Sequence, residues 1–210
     1  MAGSGQMGTG SAALPEGKEK TMSDFTFHET ATAPEAARPI LEGAAKKYGF
    51  VPNILKGMAE APALLEGYAT LSGIFDKSSF SPVERQVVLL SINYVNNCTY
   101  CVAAHSGAAK MAGMDDATLK ALREGTKLPD AKLDALSRFT KAVVTERGFV
   151  DEKTIKAFLE AGYTRQNVLE VVLAVGFKTL SNYANHIMET PLDSQFKPLE
   201  WSKPARAAAE

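Results

Sequence analysis

Proline placement sets the first limit on what this chain can fold into. Pro34, Pro39, Pro52, Pro62 and Pro82 follow one another at short intervals, Pro129 comes next, and no other appears until Pro191. A proline inside a helix removes a hydrogen bond and clashes with the preceding turn, so the proline-free intervals are where helices run. Those intervals carry helical spacing. "APALLEGYATLSGIFDK" sets Leu64, Tyr68, Leu71 and Phe75 on one stripe, and "KLDALSRFTKAVVTERG" does the same with Leu133, Leu136, Phe139 and Val143 before Gly148. Strict apolar–polar alternation is absent. The expected fold class is all-α, a compact helical bundle.

The cap signals agree. "PILEGAAKKYG" ends in a helix-terminating Gly, and "VPNILKGMAEA" is apolar at helical spacing. "SPVERQVVLLSINYV" opens with Ser81 as N-cap, Pro82 at the first helical position and Glu84 three residues after the cap, a capping box. Apolar residues then crowd nearly all round it, which predicts a helix at the domain centre. Asp151 and Thr164 cap the segments "DEKTIKAFLEAG" and "TRQNVLEVVLAVGFKTLSNYANHIM", the second long and mostly apolar with one internal Gly.

Two echoes suggest an internal duplication of helical units. "AAKMAGMDDATLKAL" and "KAFLEAGYTRQNVLEV" share a helix, Ala-Gly, a large residue and then Asp115 or Thr164 as the next cap. "VERQVVLLSINYVNNCTYCVAAH" also lies on "TRQNVLEVVLAVGFKTLSNYANH" without gaps, pairing Cys101 with Asn182 and His105 with His186. Two helices obeying one core pattern produce the same likeness.

Residues 1–21 are rich in Gly, Ser and Ala and read as a disordered leader, a cloning scar or an upstream start; Met22 opens a single all-helical domain over 22–210, with a C-terminal tail from about 191. A net charge of -1 and a pI of about 6.3 leave no basic footprint for nucleic acid. No apolar run approaches the roughly 18 to 20 residues of a membrane span, and no signal architecture opens the chain. A cytoplasmic location is the expectation, and in a reducing compartment the only two cysteines serve catalysis, redox cycling or metal binding more readily than a permanent disulfide.

Those cysteines lie in "NNCTYCVAAH". On a helix Cys98 and Cys101 are one turn apart, about 5 to 6 Å between Cα atoms and within disulfide reach. Asn96 and Asn97 favour caps over helix interiors, so a break falls there with Cys98 in the first turn of a new helix. The helix start and a nearby imidazolium lower a thiol pKa, to roughly 3.5–7.5 in such settings, and on this argument Cys98 is the more acidic. His105 shares the face and sets a base beside a nucleophile.

Other readings of these residues stay open. In a helical oligomeric binding protein the pair is buried and inert, or Cys98, Cys101 and His105 are three zinc ligands, though only His28 and His186 remain to supply a fourth imidazole. Covalent haem attachment would need His where Val102 stands. His186 reads as an ordinary histidine near a helix end, Tyr94 and Tyr100 as packing residues with a possible place at a substrate pocket, and Glu84 as a capping carboxylate unless it faces the thiols. Trp201, in a proline-flanked tail, is either a subunit contact or a local anchor.

"LSINYVNNCTYCVAAHSGAAKMAGMDDATLKAL" resembles the carboxymuconolactone decarboxylase superfamily, and more closely its alkylhydroperoxidase D-like, peroxidase-related branch. The C-x-x-C-x-x-x-H signature carries the likeness, and "YGFVPNILKGMAEAPALLEGY" and "AGYTRQNVLEVVLAVGFKTLSNYANHI" extend it over roughly residues 40–190. The resemblance implies an all-helical protomer in homotrimers or hexamers. It also implies reduction of a hydroperoxide through the dithiol, with an external dithiol or reductase as donor and no cofactor or metal. In the branch the second cysteine attacks, so Cys101 attacks, Cys98 resolves and His105 relays the proton, an order opposite to the one the helix start suggests. The branch's relay glutamate falls at Gln86, which cannot carry a proton as a carboxylate does. Glu84 lies two residues earlier, about 200° round the helix. The decarboxylating branch of the superfamily, whose small-acid chemistry does not use the pair, is the remaining alternative.

Overall fold

The computed structural model describes residues 25–205. The proposed leader lies outside them. Nine α-helices and two short 3-10 turns make up the described residues, and no strand occurs among them. The helices are α1 (Arg38–Tyr48), α2 (Asn53–Met58), α3 (Pro62–Phe75), α4 (Pro82–Val95), α5 (Thr99–Met111), α6 (Asp116–Glu124), α7 (Ala131–Thr145), α8 (Glu152–Glu160) and α9 (Arg165–Met188). None of these helices is long and apolar enough to cross a membrane.

Local chemistry accounts for the boundaries. Pro39, Pro62 and Pro82 stand in the first turns of α1, α3 and α4. Ser81 accepts from the Glu84 amide while the Glu84 carboxylate accepts from the Ser81 amide, so the capping box forms. Asp115, Asp130 and Asp151 cap α6, α7 and α8. Thr164 and Asn167 cap α9 reciprocally.

α4 is the central helix, packed on α5, α7 and α9. Its Val87, Val88, Leu90 and Ile92 are buried in a large apolar cluster that continues through Phe139, Phe158 and Tyr163, whose rings stack at 4.2 and 4.5 Å. A second, smaller cluster gathers Ala37, Leu41, Met58 and Leu65 from α1 to α3 around Cys98, Tyr100 and Cys101. The thiols therefore sit where the N-terminal helices close over the end of α5.

The segment after α9 is anchored locally. Asp193 accepts from the Tyr100 hydroxyl at 2.5 Å and from the Asn53 amide, and Trp201 donates its indole N–H to the Arg123 carbonyl at 2.8 Å. Tyr94, before the thiol motif, packs 5.9 Å from Trp201, and Tyr100, within it, packs 6.0 Å from Phe196, so both tyrosines act in packing. The gap-free echo is not repeated in the backbone, because the break between α4 and α5 at residues 96–98 aligns with an unbroken stretch inside α9.

Candidate active site

Three helices build the site. α4 contributes Gln86 and Asn93, α9 contributes Lys178, Ser181 and Asn182, and Cys98, Cys101 and His105 come from the start of α5. The junction is a three-residue turn in which Asn97 takes a left-handed φ of 53°, a conformation Asn tolerates better than most residues. Cys98 is the N-cap of α5, one position earlier than its expected place in the first turn, and its amide bonds the Asn93 carbonyl. A ladder of amides holds the turn against α9. Asn96 donates to Asn182 at 2.9 Å, Asn182 donates to Asn93 at 3.0 Å, and Asn93 donates to the Cys101 carbonyl at 3.2 Å. Asn93 and Asn182 are fully buried, so each of these bonds satisfies a group that would otherwise be costly to hide from water.

Both cysteines are free thiols and both are buried, with 0% of Cys98 and 3% of Cys101 exposed. Their acidities diverge. Burial pushes the Cys101 thiol up, but the Cys98 S–H, the Lys178 charge, Asn182 and Ser181 outweigh it and bring the group down to about 6. Cys98 moves far upward, because its proton is held in the bond to Cys101 and its surroundings are apolar. The helix start thus fails to select Cys98. The Cys101 amide at the helix start does favour a Cys98 thiolate, but the Cys101 sulfur and burial oppose it more strongly, whereas Cys101 is reached by the polar face of α9.

His105 is half-buried, and both ring nitrogens are engaged. Nδ1 lies 3.0 Å from Gln86 Oε1, and Nε2 lies 3.2 Å from Lys178 Nζ. An ammonium only donates, so Nε2 accepts and the ring proton sits on Nδ1, donating to the Gln86 carbonyl oxygen. The imidazole is neutral, its pKa lowered well below the ordinary value by burial and then by the Lys178 charge. The base expected directly beside the nucleophile is therefore separated from it by a lysine.

Lys178 is 1% exposed, hydrogen-bonds Cys101, and is held protonated by Cys101 and Tyr68 against the opposing effect of burial. Tyr68, from α3, closes the site above Lys178 and Ser181; burial raises its hydroxyl pKa. The sequence reading missed Lys178, Ser181 and Asn182. The available signal was a lone cation between Glu170 and His186 in an otherwise apolar helix, with polar residues three and four positions later on the same face.

Two candidates fall elsewhere. Glu84 does not face the thiols: it is committed to Ser81 and to Lys132, 3.3 Å away. His186 is exposed and stacks on Tyr183. His28 lies 3.5 Å from Glu60, and among the described residues no group of three or more His, Cys, Asp and Glu side chains gathers that could hold a metal ion.

Residues 59–129 match the model of the Carboxymuconolactone decarboxylase family. That segment holds Gln86, both cysteines and His105 and ends before Lys178, and the resemblance read from the motif is borne out. Solved structures extend the likeness across the fold. The alkylhydroperoxidase AhpD core of an uncharacterized peroxidase-related protein from Ralstonia eutropha JMP134 is 20% identical, with 85% of this chain and 96% of that one covered at a TM-score of 0.75. An uncharacterized peroxidase-related protein from Silicibacter sp. TM1040 is also 20% identical, covering 88% and 97% at 0.71. The debrominase Bmp8 is 17% identical, covering 83% and 95% at 0.69. No curated protein matches the sequence significantly.

Proposed function

We propose that this protein is a dithiol oxidoreductase that reduces small hydroperoxides, with Cys101 as nucleophile and Cys98 as resolving thiol. The observation that carries the reading is the setting of the Cys101 sulfur, which meets the Cys98 thiol and, from α9, Lys178, Ser181 and Asn182, all groups that favour its thiolate. The Cys101 thiolate attacks the terminal peroxide oxygen. An S–O bond forms, the O–O bond breaks, sulfur is oxidised to sulfenic acid, and the departing alkoxide takes a proton to become an alcohol. The Cys98 thiol then attacks that sulfur, forming the disulfide and releasing water. An external dithiol supplies two electrons and two protons to restore the pair.

The burial of both sulfurs favours a small substrate. Homo-oligomeric assembly belongs to the same reading and is supported by an exposed apolar stripe on α9 formed by Leu169, Val172, Tyr183 and Ile187.

The test is a thiol count before and after one equivalent of hydroperoxide. Two thiols should disappear and return on adding a dithiol, Cys98→Ser should stop at a sulfenic acid trapped by dimedone, and Cys101→Ser should be inert. Unchanged thiols in the native protein would remove the peroxidase reading. Zinc in the purified protein, or small-acid chemistry surviving replacement of both cysteines by Ser, would favour the alternatives.

A further inference from the structure

We infer that Lys178, not His105, is the charge partner of the Cys101 sulfur and the proton donor to the departing oxygen, while Gln86 and His105 act as its positioning pair. This deepens the dithiol reading above and rests on it for the second half of the role.

The geometry leaves little choice. Lys178 touches Cys101 on one side and lies 3.2 Å from His105 Nε2 on the other, so the imidazole reaches the sulfur only through the ammonium. A proton chain continuing through the ring would need an acceptor beyond Nδ1. The group there is the Gln86 amide, 3.0 Å away, which accepts a hydrogen bond and takes up no proton. The chain ends at Gln86. The ring is thereby locked in one tautomer, and its accepting nitrogen aims the ammonium.

Protons and electrons balance around Lys178. In the reduced state Cys101 is a thiolate, Cys98 a thiol and Lys178 an ammonium. As the O–O bond breaks, Lys178 gives its proton to the alkoxide and becomes a neutral amine, and the later condensation of Cys98 releases water. A dithiol donor then returns two electrons and two protons, one proton to Cys98 and one to Lys178. His105 never changes charge.

The titratable groups facing the sulfur and the ammonium are Cys98 and His105 from the start of α5, Tyr68 from α3 and, next to Cys101, Tyr100. α4 presents Gln86 and Asn93, neither of which titrates. Of these groups, only Cys101 is expected to titrate between pH 5 and 8.

The test is the pH titration of Cys101, read as thiolate absorbance and as alkylation rate in the absence of any hydroperoxide. Lys178→Met should move the midpoint up by at least about one pH unit, a tenfold fall in thiolate at a given acid pH. Lys178→Gln, which keeps a polar group of similar length, should do the same and serves if the Met variant fails to fold. His105→Gln should leave the midpoint within about half a unit while slowing turnover. A midpoint unmoved in both Lys178 variants, or moved only in His105→Gln, overturns the inference. A shifted midpoint in a protein that consumes no hydroperoxide keeps Lys178 as charge partner and removes the peroxidase reading instead.

Discussion

α4 and α9 are neighbouring helices of the same core, yet they are buried for opposite reasons. α4 hides an apolar surface on nearly every side, with Val87, Val88, Leu90 and Ile92 all at or near zero exposure. α9 changes character along its length. Its first part buries Val171, Ala174 and Phe177, but from Lys178 on the buried face carries Lys178, Ser181, Asn182 and Asn185, while Leu169, Val172, Tyr183 and Ile187 face outward. The first arrangement is what the hydrophobic effect selects. The second opposes it and persists because Lys178, Ser181 and Asn182 are matched to Cys101, Asn93, Asn96 and His105. The stretch of α9 whose polarity runs inside out is the one that meets the thiol pair, and there the fold gives up apolar burial.

The contrast can be broken from either side. The largest effect should come from α4: Ile92→Ala leaves a cavity in the dry core and should cost about 2–5 kcal/mol in urea unfolding, with the Cys101 titration of the folded protein unchanged. Loss of the acidic Cys101 in that variant would mean that the two regions are not separable.

An intermediate effect belongs to the polar face. Cys101 is an acid whose folded pKa is depressed, so its contribution is present above the unfolded value, about 8.5, and is lost as pH falls through about 6. His105, kept neutral by a lowered pKa, acts in the same direction below its ordinary range. Cys98, raised instead, weakens the fold only as pH rises past the ordinary thiol range. The thermal midpoint of the reduced protein should fall by several degrees between pH 8.5 and 6, at roughly 2–4 °C per kcal/mol for a chain of this size. Cys101→Ser should flatten that profile, and an equally steep one would place the linkage elsewhere.

The smallest effect should be on the outer face. Leu169, 70% exposed, contributes little to the protomer, so Leu169→Ser should change its stability by no more than about 0.5 kcal/mol. The same substitution should lower the apparent mass in size-exclusion chromatography if the stripe is a subunit contact.

The legibility of the sequence follows the same division. α4 announced itself, since capping box, first-turn proline and apolar density all pointed one way, and the cysteine motif was visible because it is local to one helical turn. The capping role of Glu84 was legible, but its place among the candidate catalytic residues is not supported by its contacts with Ser81 and Lys132, and Gln86 was recognised by position without its hydrogen bond to His105. Lys178 stayed hidden because it lies far from the motif in the chain and because α9 reads as simply apolar when its period is not resolved into faces. The order of the thiols divided the sequence evidence. Nearness to a helix start argued for Cys98 and the family resemblance implied Cys101; the side chains arriving from α9 favour a Cys101 thiolate.

The pairing of Cys101 with Lys178 has one more consequence, for the energetics of cycling. An anion and a cation share the interior when the protein is reduced, and in the proposed cycle neither is present when the disulfide is closed, so the core has zero net charge at both ends. Electrons enter together with an equal number of protons, and no intermediate at rest has to shelter an isolated ion in a medium of low polarity.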